Sequence, residues 1–390
     1  MKILHLTKIS VGGAFVAANR ISDSLNQIGH DSRVEVMDNF PSGPLKLEKI
    51  QAKLDFINES VSSASITTSM LRSYSLSRHT FESLKEVDVV NLHWIPGLLH
   101  KEFIKQISKV KRVIWTMHDM NTFTGICHHS SECQNFEDNC FPCPQFAIPR
   151  LPVPSLILRE KIRYLETIPQ TSFIAPSEWL KELALSSTLL RDQVIDVIPN
   201  PTSSALIEHK EGTNLRESLG FASNALIVGV LGTNYGVQKG GKKAFEEIKV
   251  FAARAGLKIQ ILAFGKSHEQ TDGFHQVSTL DHTDIAFEDF LQTCDLYVHL
   301  SEYENLPNII IEAQSLGVPV IALDRGGVSE TMSVGVTGYV IKEIAEFEDA
   351  MDWFLCASKD ANLNNLIRVF AQSKFDQSKV AKQYTDVYSR

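Results

Sequence analysis

A chain of 390 residues, 43% hydrophobic and 22% charged, has the length for two domains with separate cores and the composition of a soluble globular protein. Residues 1–200 balance 21 Lys and Arg against 21 Asp and Glu, so the whole net charge of −8 falls on residues 201–390. An acidic second half argues against nucleic acid as the main partner, and no run approaches the ~18 apolar residues of a membrane span.

Met1-Lys2-Ile3-Leu4-His5-Leu6 reads as a strand rather than a signal peptide, which makes the cytoplasm the expected compartment. A strand over 3–7, a helix over 14–27 and a strand over 32–37 open the chain. A strand at 87–92, a helix at 101–108 and a strand at 112–117 follow. A strand at 172–175 leads into a helix opening at Pro176-Ser177-Glu178-Trp179, and a strand at 194–198 ends in the turn cluster Pro199-Asn200-Pro201-Thr202. The pattern then restarts with a strand at 226–231, a helix at 242–255, and strands at 258–264, 296–300 and 318–323. Strands alternating with helices predict parallel, doubly wound sheets. The reading is therefore two Rossmann-like α/β domains, 1–200 and 201–370, with a tail at 371–390 that is helical and able to cross back to the first domain. Residues 41–80 read as surface helices, and residues 119–155 as a loop excursion.

Two clusters combine basic and apolar residues: Lys101, Lys105, Lys109, Lys111 and Arg112, then Arg159, Lys161 and Arg163 beside Leu156, Ile157, Leu158 and Ile162. They read either as solvated helix faces or as a face resting on an anionic membrane.

Glycine punctuates the strand ends. Gly12-Gly13 follows the first strand, where bare backbone lets a phosphate or sugar approach a helix N-terminus; a purely structural turn is the alternative. The pair is not the GxGxxG of a dinucleotide site. The matching turn after residue 231 runs from Gly232 to Lys239-Gly240-Gly241-Lys242 and joins backbone donors to a cation suited to a diphosphate. Asp324-Arg325-Gly326-Gly327 closes the strand at 318–323 in the same way.

Glu304 and Glu312 stand eight residues apart in Glu304-Asn305-Leu306-Pro307-Asn308-Ile309-Ile310-Ile311-Glu312. Pro307 suits the first turn of a helix and Gly317 the residue past its end. Glu312 then lies inside a short helix and Glu304 in the loop before it, roughly 12 Å apart at ~1.5 Å per residue. A retaining glycosidase pair needs its carboxyls only ~5 Å apart. These acids suit opposite ends of one long ligand.

The string from Cys294-Asp295 through Ser301-Glu302-Tyr303-Glu304-Asn305-Leu306-Pro307-Asn308 and Glu312-Ala313 to Gly317-Val318-Pro319 and Gly326-Gly327 resembles the retaining glycosyltransferases of family four, with GT-B architecture. Gly29-His30, Ala175-Pro176-Ser177, Ile198-Pro199-Asn200, Lys239-Gly240 and Thr337-Gly338 extend the resemblance over nearly the whole chain. The resemblance implies two Rossmann-like domains facing across a cleft and a metal-independent transfer of sugar from a nucleoside-diphosphate sugar. The implied acceptor is a glycan or lipid-linked oligosaccharide, and the implied location is cytoplasmic, with peripheral contact at the inner face of the membrane. It implies Glu312 on the ribose, Glu304 on the donor sugar, the N–H groups of Asn305 and Leu306 on the diphosphate, Lys239 neutralising the leaving phosphates, and His118 facing the transferred sugar. The family often carries an Arg shortly before its Lys-Gly; here that stretch holds Gln238, leaving more to Lys239 with Lys242 or Arg325. Rival readings are a disaccharide or sugar-phosphate synthase with a soluble acceptor, and a non-catalytic glycan- or nucleotide-binding subunit.

Cys127, Cys133, Cys140 and Cys143, spaced C-x5-C-x6-C-x2-C, admit a structural zinc, free thiols or disulfides. The stretch from His118 to His128 with the later cysteine pair resembles the members of the family that build capsular, colanic-acid-like or O-antigen polysaccharides.

Overall fold

The computed structural model describes every residue except 38–39, 42–65, 67–73, 76–77, 97–100, 203–214, 223, 233–238, 266–276 and 281–286. The chain divides into two compact units, residues 1–201 with 378–390, and residues 202–377.

The first unit is built on a six-stranded parallel sheet in the order β2-β1-β5-β6-β7-β8. Its strands are β1 (Lys2–Thr7), β2 (Asp31–Val36), β5 (Val89–Leu92), β6 (Arg112–Thr116), β7 (Thr171–Ala175) and β8 (Ile195–Val197). Every residue of β5 is buried, as are all but the first of β1, because both faces of a parallel sheet are covered. That is why these strands read as continuous apolar runs. The order reverses between β1 and β5, and the crevice at the carboxyl ends of these two strands is where open α/β sheets bind ligands. Residues 41–80, expected to be surface helices, lie mostly outside the described residues. Of the described part, Phe40–Pro41 (β3) and Tyr74–Ser75 (β4) pair as a short antiparallel ribbon, and a helix begins at Arg78.

The basic cluster at 156–163 does not form one solvated or membrane-facing surface. In the helix Val153–Thr167, Lys161 is buried, donating to the carbonyl oxygens of Asn121 and Thr124, and Ile157 and Leu158 join the core. Arg163 pairs with Glu160 on the exposed side.

The tail is not one helix but two, Leu363–Phe375 and Gln377–Ser389, because Asp376 leaves helical geometry at φ −57° and ψ 132°. The last helix belongs to the first unit. Its Val380, Ala381, Tyr384, Val387 and Tyr388 cover one face of the sheet against Ile3, Val89, Ile114 and Ile174. Asn91 Nδ2 donates to Tyr388 Oη (2.7 Å) while Thr116 Oγ1 donates to Asn91 Oδ1 (3.0 Å), so Asn91, Thr116 and Tyr388 satisfy one another at this seam, whereas the buried Tyr384 hydroxyl meets no hydrogen-bond partner among the described residues.

The second unit repeats the plan with the order β11-β10-β9-β12-β13-β14, all parallel. Its strands are β9 (Leu226–Leu231), β10 (Ile259–Phe264), β11 (Val277–Leu280), β12 (Leu296–His299), β13 (Val320–Leu323) and β14 (Gly338–Ile341). Both outer strands, β11 and β14, escape the pattern reading: four residues at a sheet edge carry little periodic signal. Apolar clusters line both faces, one around Phe245, Ile248 and Phe354 and the other around Phe290, Tyr297 and Ile310. The order reverses between β9 and β12, which sets the loops after these strands at the ligand-binding end of the unit.

Candidate active site

In the second unit three loops meet at the carboxyl ends of β9, β12 and β13, and glycines permit the meeting. A Cβ on Gly240 would stand 1.9 Å from the Leu300 carbonyl oxygen, one on Gly241 2.2 Å from that of Leu231, and one on Gly326 1.7 Å from that of Glu304. Gly240 and Gly326 also hold φ of +70° and +63°, which L side chains rarely adopt. Gly327 N–H donates to the Asn305 carbonyl at 2.6 Å, tying the loop after β13 to the one after β12.

That packing brings Lys239 onto Glu304. Lys239 Nζ lies 2.7 Å from Glu304 Oε1, and His299 Nε2 donates to the same oxygen at 3.0 Å. The ionised carboxylate can only accept, which places a proton on His299 Nε2, and His299 Nδ1 lies 3.3 Å from Tyr297 Oη. Burial alone would raise the Glu304 carboxyl; the His299 hydrogen bond and charge, then Lys239, outweigh it and hold the group down to about 2. Glu304 is thus an ionised carboxylate with one oxygen clamped. Its Oε2 has no hydrogen-bond partner among the described residues. Glu302 pairs with Lys243 (2.7 Å) and with Arg325 (3.5 Å), so a second cation, Arg325, is drawn to the same loop.

Glu312 is buried in the helix Asn308–Leu316. Pro307 sits just before that helix, at its N-cap, rather than in its first turn, and Gly317 closes it at φ +82°. Asn305 and Leu306 are in the approach to the helix, Leu306 packing with Ile311 and Phe375. Gly232 follows β9, its N–H donating to Phe264 O at 2.8 Å. The structure therefore brings Lys239, Glu304, Gly326 and Arg325 to one end of the unit. His299, missed by sequence reasoning, is the added member; a lone histidine at a strand end reads as a core residue until its partner is known.

In the first unit, Gly12 takes φ +85° with no atom within 4 Å of its would-be Cβ, and Gly13 begins the helix Gly13–Gln27. Its glycine need is conformational rather than steric. His118 follows β6. Its Nε2 lies 2.8 Å from His93 Nδ1, and His93 Nε2 lies 2.8 Å from His5 Nδ1. Burial lowers His118 to about 4, against the opposing pull of Asp119, so the ring is neutral at pH 7. Asp119 is bound on its own side by His128 Nδ1 (2.6 Å), Trp94 Nε1 (2.9 Å) and the Asn121 N–H (2.8 Å).

Cys127, Cys133, Cys140 and Cys143 line one small cavity, and all are free thiols. Gly125 N–H donates to Cys140 Sγ at 3.2 Å, and the Cys127 and Cys143 thiols are hydrogen-bonded to each other. Among the described residues no three His, Cys, Asp or Glu side chains are placed to hold a metal ion, and no helix is long and apolar enough to cross a membrane.

Residues 226–368 match the family described as "Glycosyl transferases group 1", and this segment is a group 1 glycosyltransferase domain. The chain is 43% identical over 54 residues to the Vi polysaccharide biosynthesis protein VipC/TviE of Salmonella typhi, covering 14% of this chain and 9% of that protein. It is 24% identical over 257 residues to the putative colanic acid biosynthesis glycosyl transferase WcaC of Escherichia coli K12, covering 63% of this chain and 60% of that one. The chain thus spans less than two thirds of the length of either relative. Among solved structures it resembles Anabaena HepE in complex with UDP, with a TM-score of 0.63 at 16% identity over the whole of both chains. That likeness shows the fold: two parallel-sheet, Rossmann-like domains of the GT-B class.

Proposed function

We propose that this protein is a retaining glycosyltransferase that moves a sugar from a nucleoside-diphosphate sugar to a glycan acceptor carried on a lipid, in the synthesis of a bacterial-type polysaccharide. The observation that carries the proposal is the clamped carboxylate. Lys239 and His299 hold Glu304 ionised through Oε1, which leaves Oε2 to accept from sugar hydroxyls. The group 1 domain and the polysaccharide relatives agree with it.

In this reading Glu312 binds the ribose, and the N–H groups of Asn305 and Leu306 meet the diphosphate where the helix Asn308–Leu316 begins. Gly232, Gly326 and Gly327 let backbone approach the donor, and Lys239, helped by Arg325, offsets the charge that grows on the leaving phosphate. Lys239 would exchange part of its Glu304 contact for phosphate when donor binds. Gly12, Gly13 and His118 of the first unit serve the transferred sugar. Positioning and charge stabilisation supply the rate, with no dyad of close carboxylates. Peripheral membrane contact belongs to the same proposal; exposed Lys105, Lys109 and Lys111 support it, while buried Lys161 has no part in it.

A thermal-shift panel of UDP-, GDP- and ADP-linked sugars tests the donor site: stabilisation by one class is expected, and flat responses to all would sink the assignment. Structural zinc in the cysteine segment is a separate proposal. It rests on the four cysteines that line one cavity near the buried Lys161 ammonium, whose hydrogen-bond acceptors are neutral; no three of them stand at metal-holding distances as placed, so binding would have to draw the thiols together. About one zinc per purified chain is expected, and folded protein free of zinc would overturn it.

A further inference from the structure

Three histidines from three adjacent strands or strand ends form a single hydrogen-bonded file in the first unit. His5 lies within β1, His93 directly follows β5 and His118 closely follows β6. Parallel pairing sets β1 beside β5 and β5 beside β6, and the His93 N–H donates to the Leu6 carbonyl at 2.9 Å, so the backbone holds the file in register. The rings follow one another at centroid distances of 5.0 and 5.1 Å, tilted by 30° and 28°. At each step an Nδ1 meets the next ring's Nε2 at 2.8 Å.

From this file we propose that His93 and His5 are positioning residues that lock His118 in the tautomer carrying its proton on Nδ1. The argument follows the protons. A neutral imidazole has one N–H donor and one lone-pair acceptor. Each contact therefore uses one of each, and choosing the proton on any ring fixes the other two. Two arrangements exist. In one, His5 Nδ1–H donates to His93 Nε2, His93 Nδ1–H donates to His118 Nε2, and His118 keeps its own proton on Nδ1. In the other every proton is reversed, and His5 must carry N–H on Nε2.

His5 decides between them. Its Nε2 is enclosed and meets no hydrogen-bond partner among the described residues. A buried N–H without an acceptor is rarer and costlier than a buried lone pair without a donor. The unpartnered atom is thus the bare nitrogen, and the proton lies on His5 Nδ1. Neutrality is secured by burial, which lowers His5 to about 3 and His93 well below the ordinary imidazole range. Because the far end is closed, the file does not carry a proton away. It is a lock rather than a wire.

The consequence for chemistry rests on the reading that His118 meets the transferred sugar. A locked Nδ1–H is a donor of fixed polarity, able to hold a sugar oxygen but not to take a proton at that nitrogen. General-base catalysis at His118 Nδ1 is thereby excluded.

The test is nitrogen NMR of the full chain labelled with 15N-histidine, the His118 signals being assigned by their loss in His118→Gln. Ring C–H to nitrogen correlations distinguish a protonated from a bare nitrogen. Protonated Nδ1 and bare Nε2 are expected on all three rings at pH 7. A proton on Nε2 of His118 or of His93, or a mixture of the two forms, would overturn the lock. His93→Phe keeps a ring but removes the donor to His118. It should release His118 from the Nδ1–H form and lower kcat on the order of tenfold or more with the donor KM within about twofold. An unchanged tautomer in folded His93→Phe also counts against the proposal. If that variant does not fold, the wild-type spectrum decides alone. The spectrum needs no substrate, so failure of every nucleotide sugar to bind would remove the transferase reading and leave the lock standing.

Discussion

Glu304 is where charge, geometry and proposed chemistry meet. Replacing it with Gln keeps the shape but removes the charge, and frees Lys239 and His299 from their shared partner. Transfer should fall on the order of a hundredfold or more while donor affinity changes by less than about tenfold, read by steady-state kinetics beside calorimetry. The pH dependence has a defined sign. A folded carboxyl near 2 lies below the ordinary ~4.3, so its pairing stabilises the fold at neutral pH and is lost as pH falls through 4 toward 2. The histidine file acts at higher pH. His5, His93 and His118 stay neutral in the fold while the unfolded chain takes up protons near 6.5, so stability should fall as pH drops from about 6.5 toward 4. Tm measured against pH checks both, and a Tm unchanged from pH 7 to 5 would contradict the buried neutral file. At this scale the sequence was half legible. Glu304, Glu312 and Lys239 stand out because their spacing and glycine neighbours are local. His93, His5 and His299 do not, because their partners lie in other strands or depend on how a loop folds back. His5 and His93 are 88 residues apart and meet only through sheet pairing.

At the scale of elements, the loops after β9, β12 and β13 form one unit of packing that leaves no room for side chains at Gly240 and Gly326. Gly326→Ala must displace the Glu304 carbonyl as well as adopt a strained φ, and should cost about 2 kcal/mol or more. Gly12→Ala meets only the strain, with open space around the new methyl, and should cost about 1–2 kcal/mol. Chemical denaturation compares the two, and equal losses would contradict the steric account. The chain of strands and helices was readable because buried parallel strands are apolar runs bounded by turn residues. The exceptions have physical causes: β14 is a four-residue edge strand, and Lys161 looks like a solvated charge until the loop carbonyls of Asn121 and Thr124 fold over it.

Across the whole molecule, the helix Gln377–Ser389 completes the core of the first unit although the second unit stands between it and that core's other elements in the sequence. Truncation before Gln377 would strip Val380, Tyr384, Val387 and Tyr388 from the sheet, at roughly 1.5–3 kcal/mol for each large apolar side chain. The shortened protein should lose the first unit's cooperative unfolding in calorimetry while the second unit's transition survives; two intact transitions would refute this role. A tail helix was visible in the sequence, but the break at Asp376 was not, because the apolar spacing runs through it. The central claim is that the second unit binds a nucleoside-diphosphate sugar with Glu304 on the sugar and Glu312 on the ribose. Isothermal titration of wild type, Glu312→Ala and Glu304→Gln with UDP-, GDP- and ADP-linked sugars tests it most directly. Binding of one nucleotide class by wild type is expected, weakened at least about tenfold by Glu312→Ala and largely kept by Glu304→Gln. No heat with any donor, or equal binding by Glu312→Ala, would contradict it.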